Sequence, residues 1–198
     1  MNTPVLIIPG IGNSGPDHWQ TLWEAADTSM VRTRVNDWDH PACASWIKAI
    51  DAQVLSAGES LVVVAHSLGC LAFVHWAAQR RQSIRGALLV AVPDPSGPNF
   101  PPQAEGFSPL PLLKLPYRSI VVSSQDDPYG SPDYAKLCAD AWGSTFVDIG
   151  RAGHINSASN LGGWPGGLRL LEELRSPGFP SVSRLMVSIA YPAKRLRG

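Results

Sequence analysis

Short, continuous apolar runs recur along this chain, and segments with helical periodicity separate them. The runs lack the apolar–polar alternation of a half-exposed strand, so each predicts a strand buried on both faces. Such strands, alternating with helices, predict a three-layer α/β fold with a mostly parallel central sheet and helices on both faces. The predicted strands are Val5–Ile8, Val31–Val35, Ser60–Ala65, Gly86–Val92, Ser119–Ser124 and Thr145–Ile149. The predicted helices are Asp17–Ala26 (with Asp17 as N-cap), Cys43–Leu55, Leu68–Gln79, Asp133–Trp142 and Leu168–Leu174.

The length of 198 residues suits one domain with a sizeable core. We predict that residues 1–174 form this domain, because the chain changes character after Leu174. The remaining tail, residues 175–198, has a short apolar patch and a basic end, and its structure stays open. Pro93–Pro116 is rich in Pro and Gly, so it is either a functional loop such as a lid or a solvated surface excursion.

The charge balance excludes several classes of partner. Sixteen basic and 16 acidic residues give a formal net charge of zero, so we expect neither nucleic acid nor a membrane surface as partner.

The opening MNTPVLIIPG does not look like a signal peptide, and no apolar stretch approaches the roughly 20 residues of a membrane span. Three scattered cysteines argue against a disulfide framework or a zinc site. We therefore expect a cytoplasmic protein that needs no metal.

The segment VVVAHSLGC places Ser67 at the corner between a predicted strand and a predicted helix. A serine in this position can project its hydroxyl from the sheet edge, beside the unpaired N–H groups of the helix, as a nucleophile elbow does. Small neighbours are needed there. Gly69 meets that need, and Ala65 stands where the full G-x-S-x-G pattern has its first glycine. The other interpretation is that Ser67 only caps the helix.

A serine nucleophile needs a base, and the base needs an orienting acid. Where a serine occupies such an elbow, the acid follows it in the chain and the histidine comes last. Of five histidines we favour His154, which follows the last predicted strand in a Gly-bearing loop at the same sheet edge as Ser67. The other four have less suitable predicted positions: His66 should point away, His75 lies two turns along the helix, and His18 and His40 lie in early loops.

Two adjacent carboxylates, Asp126 and Asp127, follow the predicted strand Ser119–Ser124. Their side chains should diverge, so only one is expected to reach the base. We favour Asp127, because the following Pro128 holds it extended. Asp94 follows another strand, and we prefer turn chemistry as its role.

The loop PGIGNSG after the first strand is the expected source of a second oxyanion donor. The first donor is the N–H of Leu68, directly after the nucleophile. The second is the N–H of Ile11, with Gly12 as a close alternative that also borders the expected pocket. The loop lacks the P-loop ending and the G-x-G-x-x-G spacing, so no nucleotide cofactor is expected. Trp38 and His18 are further candidates to line the pocket.

Taken together, the segments VLIIPGIGNSGPDHWQTLWE, NDWDHPACASWI, VVVAHSLGC, SSQDDPYGS and GRAGHIN resemble the α/β-hydrolase superfamily. More narrowly, the chain resembles the small serine hydrolases related to retinoblastoma-binding protein 9. The resemblance implies an α/β-hydrolase fold with little or no cap domain. It also implies a triad of Ser67, Asp127 and His154, and activity on small acyl esters or amides.

We therefore predict a serine hydrolase that acts on a small-molecule acyl substrate through an acyl-enzyme, without cofactor. The ester, amide or thioester preference and the oligomeric state stay open. The alternative function is a non-catalytic interaction protein that keeps the scaffold. The complete set of Ser, Asp and His in the expected chain order argues against that alternative.

Overall fold

Six parallel strands form one sheet in the order β2-β1-β3-β4-β5-β6. The structure is a computed structural model, and it describes residues 3–58, 60–80 and 82–176. The strands are β1 (Val5–Ile8), β2 (Met30–Arg32), β3 (Val62–His66), β4 (Gly86–Val90), β5 (Arg118–Ser123) and β6 (Thr145–Asp148). The helices are α1 (Trp19–Ala26), α2 (Cys43–Ala57), α3 (Leu68–Gln79), α4 (Pro132–Trp142) and α5 (Pro165–Arg175), with a 3₁₀ turn at Ser157–Ser159.

Each face of the sheet carries its own hydrophobic core. In β1, Leu6 and Ile8 pack in the core under α2, α3 and α4, whereas Val5 and Ile7 pack in the core under α1 and α5. All four side chains are at most 3% exposed. Successive strand residues point to opposite faces, so a strand covered on both sides must be apolar throughout. The predicted three-layer α/β fold is confirmed.

The elements differ from the predicted ones mainly at their ends. The strand predicted at Val31–Val35 runs only over Met30–Arg32. The N-cap of α1 is His18, not Asp17, because the His18 Nδ1 accepts a hydrogen bond from the Gln20 N–H at 3.2 Å. A neutral imidazole supplies the acceptor that short polar side chains usually provide at this position.

The loop predicted at Pro93–Pro116 is attached to the core and is not a purely solvated excursion. The connection from β4 to β5 contains no helix or strand, in line with an α/β fold that has little or no cap domain. Its Glu105 exchanges backbone hydrogen bonds with Pro41 and Cys43 at 2.9 Å, and its Phe107 side chain is 1% exposed. Its role as a lid stays a prediction.

The domain boundary predicted at Leu174 lies one residue before the end of α5 at Arg175. Most of the predicted tail, residues 177–198, lies outside the described residues. No helix within the described ranges is both long enough and apolar enough to cross a bilayer.

The parallel arrangement brings the carboxyl ends of β3, β5 and β6 to one edge of the sheet. β3 pairs with β4, β4 with β5, and β5 with β6, so these three strand ends are separated by few neighbours. The segments that follow them carry Ser67, Asp127 and His154. Open α/β sheets bind ligands at this edge.

Candidate active site

Ser67 occupies the corner between β3 and α3 with a left-handed backbone, φ +54° and ψ −127°. Non-glycine residues rarely adopt a positive φ, and such a conformation costs about 1–3 kcal/mol. Its N–H donates to the Val90 carbonyl at 2.9 Å, and its carbonyl accepts from the Cys70 N–H at 2.9 Å. Its hydroxyl makes no capping bond to α3, so a purely capping role for Ser67 is not supported.

Two glycines, Gly10 and Gly69, allow the backbone segments around this corner to approach each other closely. A Cβ at Gly69 would lie 2.5 Å from the carbonyl oxygens of Ile8 and Pro9. A Cβ at Gly10 would lie 2.8 Å from the Ser67 Cβ. Both approaches are shorter than side chains tolerate, so β1 and α3 can meet only with glycine at these positions. Ala65 is fully buried, and its single methyl fits where a glycine is usual.

The Ser67 hydroxyl, the His154 imidazole and the Asp127 carboxylate form one hydrogen-bonded chain. Ser67 Oγ lies 2.7 Å from His154 Nε2, and His154 Nδ1 lies 2.9 Å from both carboxylate oxygens of Asp127. A neutral imidazole protonated on Nδ1 donates to Asp127 and leaves Nε2 free to accept the serine proton. The His154 side chain is 10% exposed and that of Asp127 is 2% exposed.

The side chains of the two adjacent aspartates point to different partners, as predicted. Asp127 faces His154 and also accepts the Tyr129 N–H at 2.9 Å. Asp126 turns toward the loop before His154, where it accepts the Gly153 N–H at 2.8 Å and the Ser124 hydroxyl at 3.0 Å. Hydrogen bonding from the Gly153 N–H is the main cause that lowers the pKa of Asp126.

The remaining histidines of the described residues make no hydrogen bond to the serine hydroxyl. The His66 Nε2 is 2.9 Å from the His154 carbonyl oxygen, and the His75 Nε2 is 3.1 Å from the Phe107 carbonyl oxygen. His40 is an exposed residue beside Asp37. His18 is 4% exposed and packs edge-on against His66, and its place in a pocket wall stays a prediction.

Burial keeps two of these imidazoles uncharged. Burial is the main cause that lowers the pKa of His18 to about 4, and electrostatic interactions with the Arg32 guanidinium and then with the His154 imidazole add to it. Burial is also the main cause that lowers the pKa of His66 well below its usual range, and His154 and His18 add to it. Both rings are therefore neutral near pH 7.

The two predicted oxyanion donors have no backbone partner among the described residues. The N–H groups of Leu68 and Ile11 make no hydrogen bond there. The N–H of Gly12 is taken by the Trp38 carbonyl at 2.9 Å, so Gly12 is the weaker of the two loop candidates. This bond also fixes the loop after β1 against the loop that carries Trp38.

Trp38 borders a surface cavity of ≈ 330 Å³ together with Asn13 and Val35. Its ring packs edge-on against Trp46, with ring centroids 5.3 Å apart. The cavity adjoins the loop that carries Ile11 and Gly12, because Asn13 belongs to both. Neither the triad residues nor the two predicted oxyanion donors line this cavity, so a substrate-pocket wall at Trp38 stays a prediction.

The three cysteines are free and buried. Burial raises the pKa of the Cys43 thiol to about 12 and that of Cys138 to about 11, and it also raises the pKa of Cys70. Thiols with such pKa values hold their protons near neutral pH and are poor nucleophiles. Cys70 therefore does not compete with Ser67, although it lies one turn away on α3.

Residues 5–173 match a family model described as serine hydrolase. A YdeN-like hydrolase from Pectobacterium atrosepticum is similar in structure, with 30% identity, a TM-score of 0.79, and coverage of 87% of this chain and 90% of that one. The ydeN gene product of B. subtilis has 20% identity and a TM-score of 0.73, with coverage of 87% and 98%. A thermophilic esterase from Thermogutta terrifontis shares the fold, at 15% identity and a TM-score of 0.64, with coverage of 89% and 92%.

No curated protein matches this chain significantly. The structural neighbours agree with the predicted α/β-hydrolase superfamily. None of the comparisons specifically tests the narrower resemblance to hydrolases related to retinoblastoma-binding protein 9, which stays a prediction.

The buried neutral His18 predicts a loss of stability in mild acid. Its pKa is about 4 in the folded protein and about 6.5 when unfolded, so the unfolded chain takes up the proton first as the pH falls. The stabilisation from keeping His18 neutral is complete above pH 6.5 and is lost progressively toward pH 4. Between pH 7 and pH 5 this loss amounts to about 2 kcal/mol. Urea unfolding of wild type and His18→Gln at both pH values measures it.

His18→Gln should show the smaller pH dependence, because glutamine does not titrate. The exposed His40→Gln variant is the control and should keep the wild-type pH dependence. Equal pH dependence in wild type and His18→Gln would show that His18 titrates normally.

Proposed function

Because the chain belongs to the serine hydrolase family, we propose that it cleaves small acyl esters, or related amides and thioesters, through a Ser67–His154–Asp127 triad and an acyl-enzyme. One observation carries the proposal. The Ser67 hydroxyl lies 2.7 Å from His154 Nε2, while His154 Nδ1 lies 2.9 Å from Asp127. This is the geometry in which an imidazole removes a serine proton.

In the acylation step, Ser67 Oγ attacks the substrate's acyl carbon while His154 Nε2 takes the hydroxyl proton. The imidazolium that forms is stabilised by Asp127, whose carboxylate is nearly shielded from water and accepts from Nδ1–H. His154 then gives its proton to the leaving group as the tetrahedral intermediate collapses to the acyl-enzyme. In deacylation, His154 Nε2 takes a proton from a water that attacks the acyl carbon, and it returns this proton to Ser67 Oγ as the bond between the acyl carbon and Oγ breaks and the acid product leaves.

The negative charge that develops on the carbonyl oxygen needs donors that are already in place. We assign this role to the N–H groups of Leu68 and Ile11, which have no partner in the described part of the chain. The Leu68 donor also lies at the N-terminus of α3, where the helix dipole favours negative charge. Each such donor contributes about 3–4 kcal/mol to barrier reduction in related chemistry.

The partner is a small-molecule acyl substrate, and the triad chemistry requires neither metal nor cofactor. A cytoplasmic location is favoured by the three free cysteines. The alternative is a non-catalytic scaffold. It would be supported if the well-folded protein hydrolysed none of a panel of esters, amides and thioesters.

The neighbouring carboxylates offer a matched pair of variants. Asp127→Asn should lower kcat for p-nitrophenyl acetate by about 10³–10⁴-fold, because the amide cannot stabilise the imidazolium and favours the wrong tautomer. Asp126→Asn should cost less than about tenfold, since its amide oxygen can still accept from Gly153. Ser67→Ala should remove the activity. Equal losses in the two aspartate variants would contradict the assigned acid.

Trp38 should influence which acyl group is accepted. In the predicted pocket a smaller side chain leaves more room, so Trp38→Ala should shift the preference of kcat/KM toward longer p-nitrophenyl esters, by about 10-fold between acetate and octanoate. Tyr129→Ala, on the side of the site toward His154, is the comparison variant. An unchanged ratio in Trp38→Ala would remove Trp38 from the pocket.

A further inference from the structure

The backbone that carries His154 has an unusual local conformation. Gly153 has φ +56° and Ile155 has φ +49°, so both neighbours of His154 are left-handed. Glycine tolerates this conformation, but a β-branched residue such as Ile155 rarely adopts it. The loop therefore depends on contacts from outside itself to present His154 in one orientation.

On the N-terminal side of His154 the contacts come from the loop after β5. The Ala152 N–H donates to the Ser124 hydroxyl at 2.9 Å, and the Gly153 N–H donates to Asp126 at 2.8 Å. These two bonds fix the backbone that leads into His154. They also link it to the loop that carries Asp127.

On the C-terminal side the contacts come from two ring N–H groups. The Trp19 Nε1–H donates to the Ile155 carbonyl at 2.8 Å. The His66 Nε2 lies 2.9 Å from the His154 carbonyl oxygen, which accepts only, so His66 is protonated on Nε2 and donates. The two rings meet edge to face, with centroids 6.0 Å apart.

We propose that His66 is a positioning residue, whose Nε2–H holds the His154 carbonyl and thereby keeps the His154 imidazole on the Ser67 hydroxyl. His66 directly precedes Ser67 in β3. It therefore ties the strand that carries the nucleophile to the loop that carries the base by a second bond, independent of the bond between Ser67 and His154. This role rests on the proposed function only for its effect on catalysis.

The surroundings of His66 suit this role. The residue is 5% exposed, and its ring centroid lies 4.8 Å from that of His18 and 5.0 Å from that of His154. A charged His66 at this distance would oppose the imidazolium that forms on His154 during acylation. The neutral ring donates one hydrogen bond without adding a charge.

Two substitutions of His66, by glutamine and by the shorter asparagine, test the proposed positioning role. The Gln amide nitrogen reaches about as far as Nε2 of histidine, whereas the Asn amide nitrogen reaches only about as far as Nδ1. His66→Gln should therefore keep kcat for p-nitrophenyl acetate within about tenfold of wild type. His66→Asn should lower kcat by about 100-fold with KM nearly unchanged, because His154 is misplaced while substrate binding is not.

His75→Asn is the matched control. Its Nε2 also lies against a backbone carbonyl, that of Phe107, whose side chain belongs to the core under α2, α3 and α4. His66 instead meets Trp19 of the core on the other face of the sheet, so loss of the His75 bond should leave kcat unchanged. Equal kcat values for His66→Gln and His66→Asn, or an equal loss in His75→Asn, would overturn the proposal.

A measurement without substrate separates this inference from the proposed function. The proton between His154 Nδ1 and Asp127 should give a protected, downfield NMR signal in wild type and in His66→Gln. In His66→Asn the signal should broaden or disappear. This result would support the positioning role even if the wild-type protein hydrolysed no ester. A signal unchanged in a folded His66→Asn would overturn it.

Discussion

The hydrogen bond between Ser67 and His154 joins residues 87 positions apart, and the proposed activation of the Ser67 hydroxyl depends on it. It forms only because a parallel sheet brings the ends of β3 and β6 to the same edge. The sheet in turn is held by two apolar cores, one on each face. Ser67 holds its corner at a positive φ, and Gly10 and Gly69 leave the room that the close approach of β1 and α3 requires there.

Electrostatics around the triad follows from burial. The Asp127 carboxylate is shielded from water, so its attraction for a charged His154 is stronger than it would be at the surface. His18 and His66 stand nearby, and burial keeps both neutral. The ionisable residues around Ser67 thus fall into two groups: the Asp127 carboxylate beside His154, and the neutral rings of His18 and His66. Neutral donors can hold the loop without disturbing the charge that develops on His154.

The fold was largely predictable because strands that are buried on both faces have continuous apolar runs in the sequence, such as Val62–Ala65. The placement of Asp127 and His154 after strands also followed from chain order. The contact of His66 was not predictable, since it depends on the conformation of a loop 88 positions away. The N-cap at His18 and the engaged Gly12 N–H likewise depend on tertiary packing. The strict alternation of side chains in β3, which turns His66 away from the face of Ala65, was the one available signal.

Covalent labelling with a fluorophosphonate probe tests whether Ser67 is an activated nucleophile. Mass spectrometry of the digested protein identifies the modified residue. We expect modification at Ser67, none in Ser67→Ala, and labelling slowed by several orders of magnitude in His154→Ala. A well-folded wild-type protein that is not labelled, or is labelled equally fast without His154, would contradict it and favour the non-catalytic scaffold.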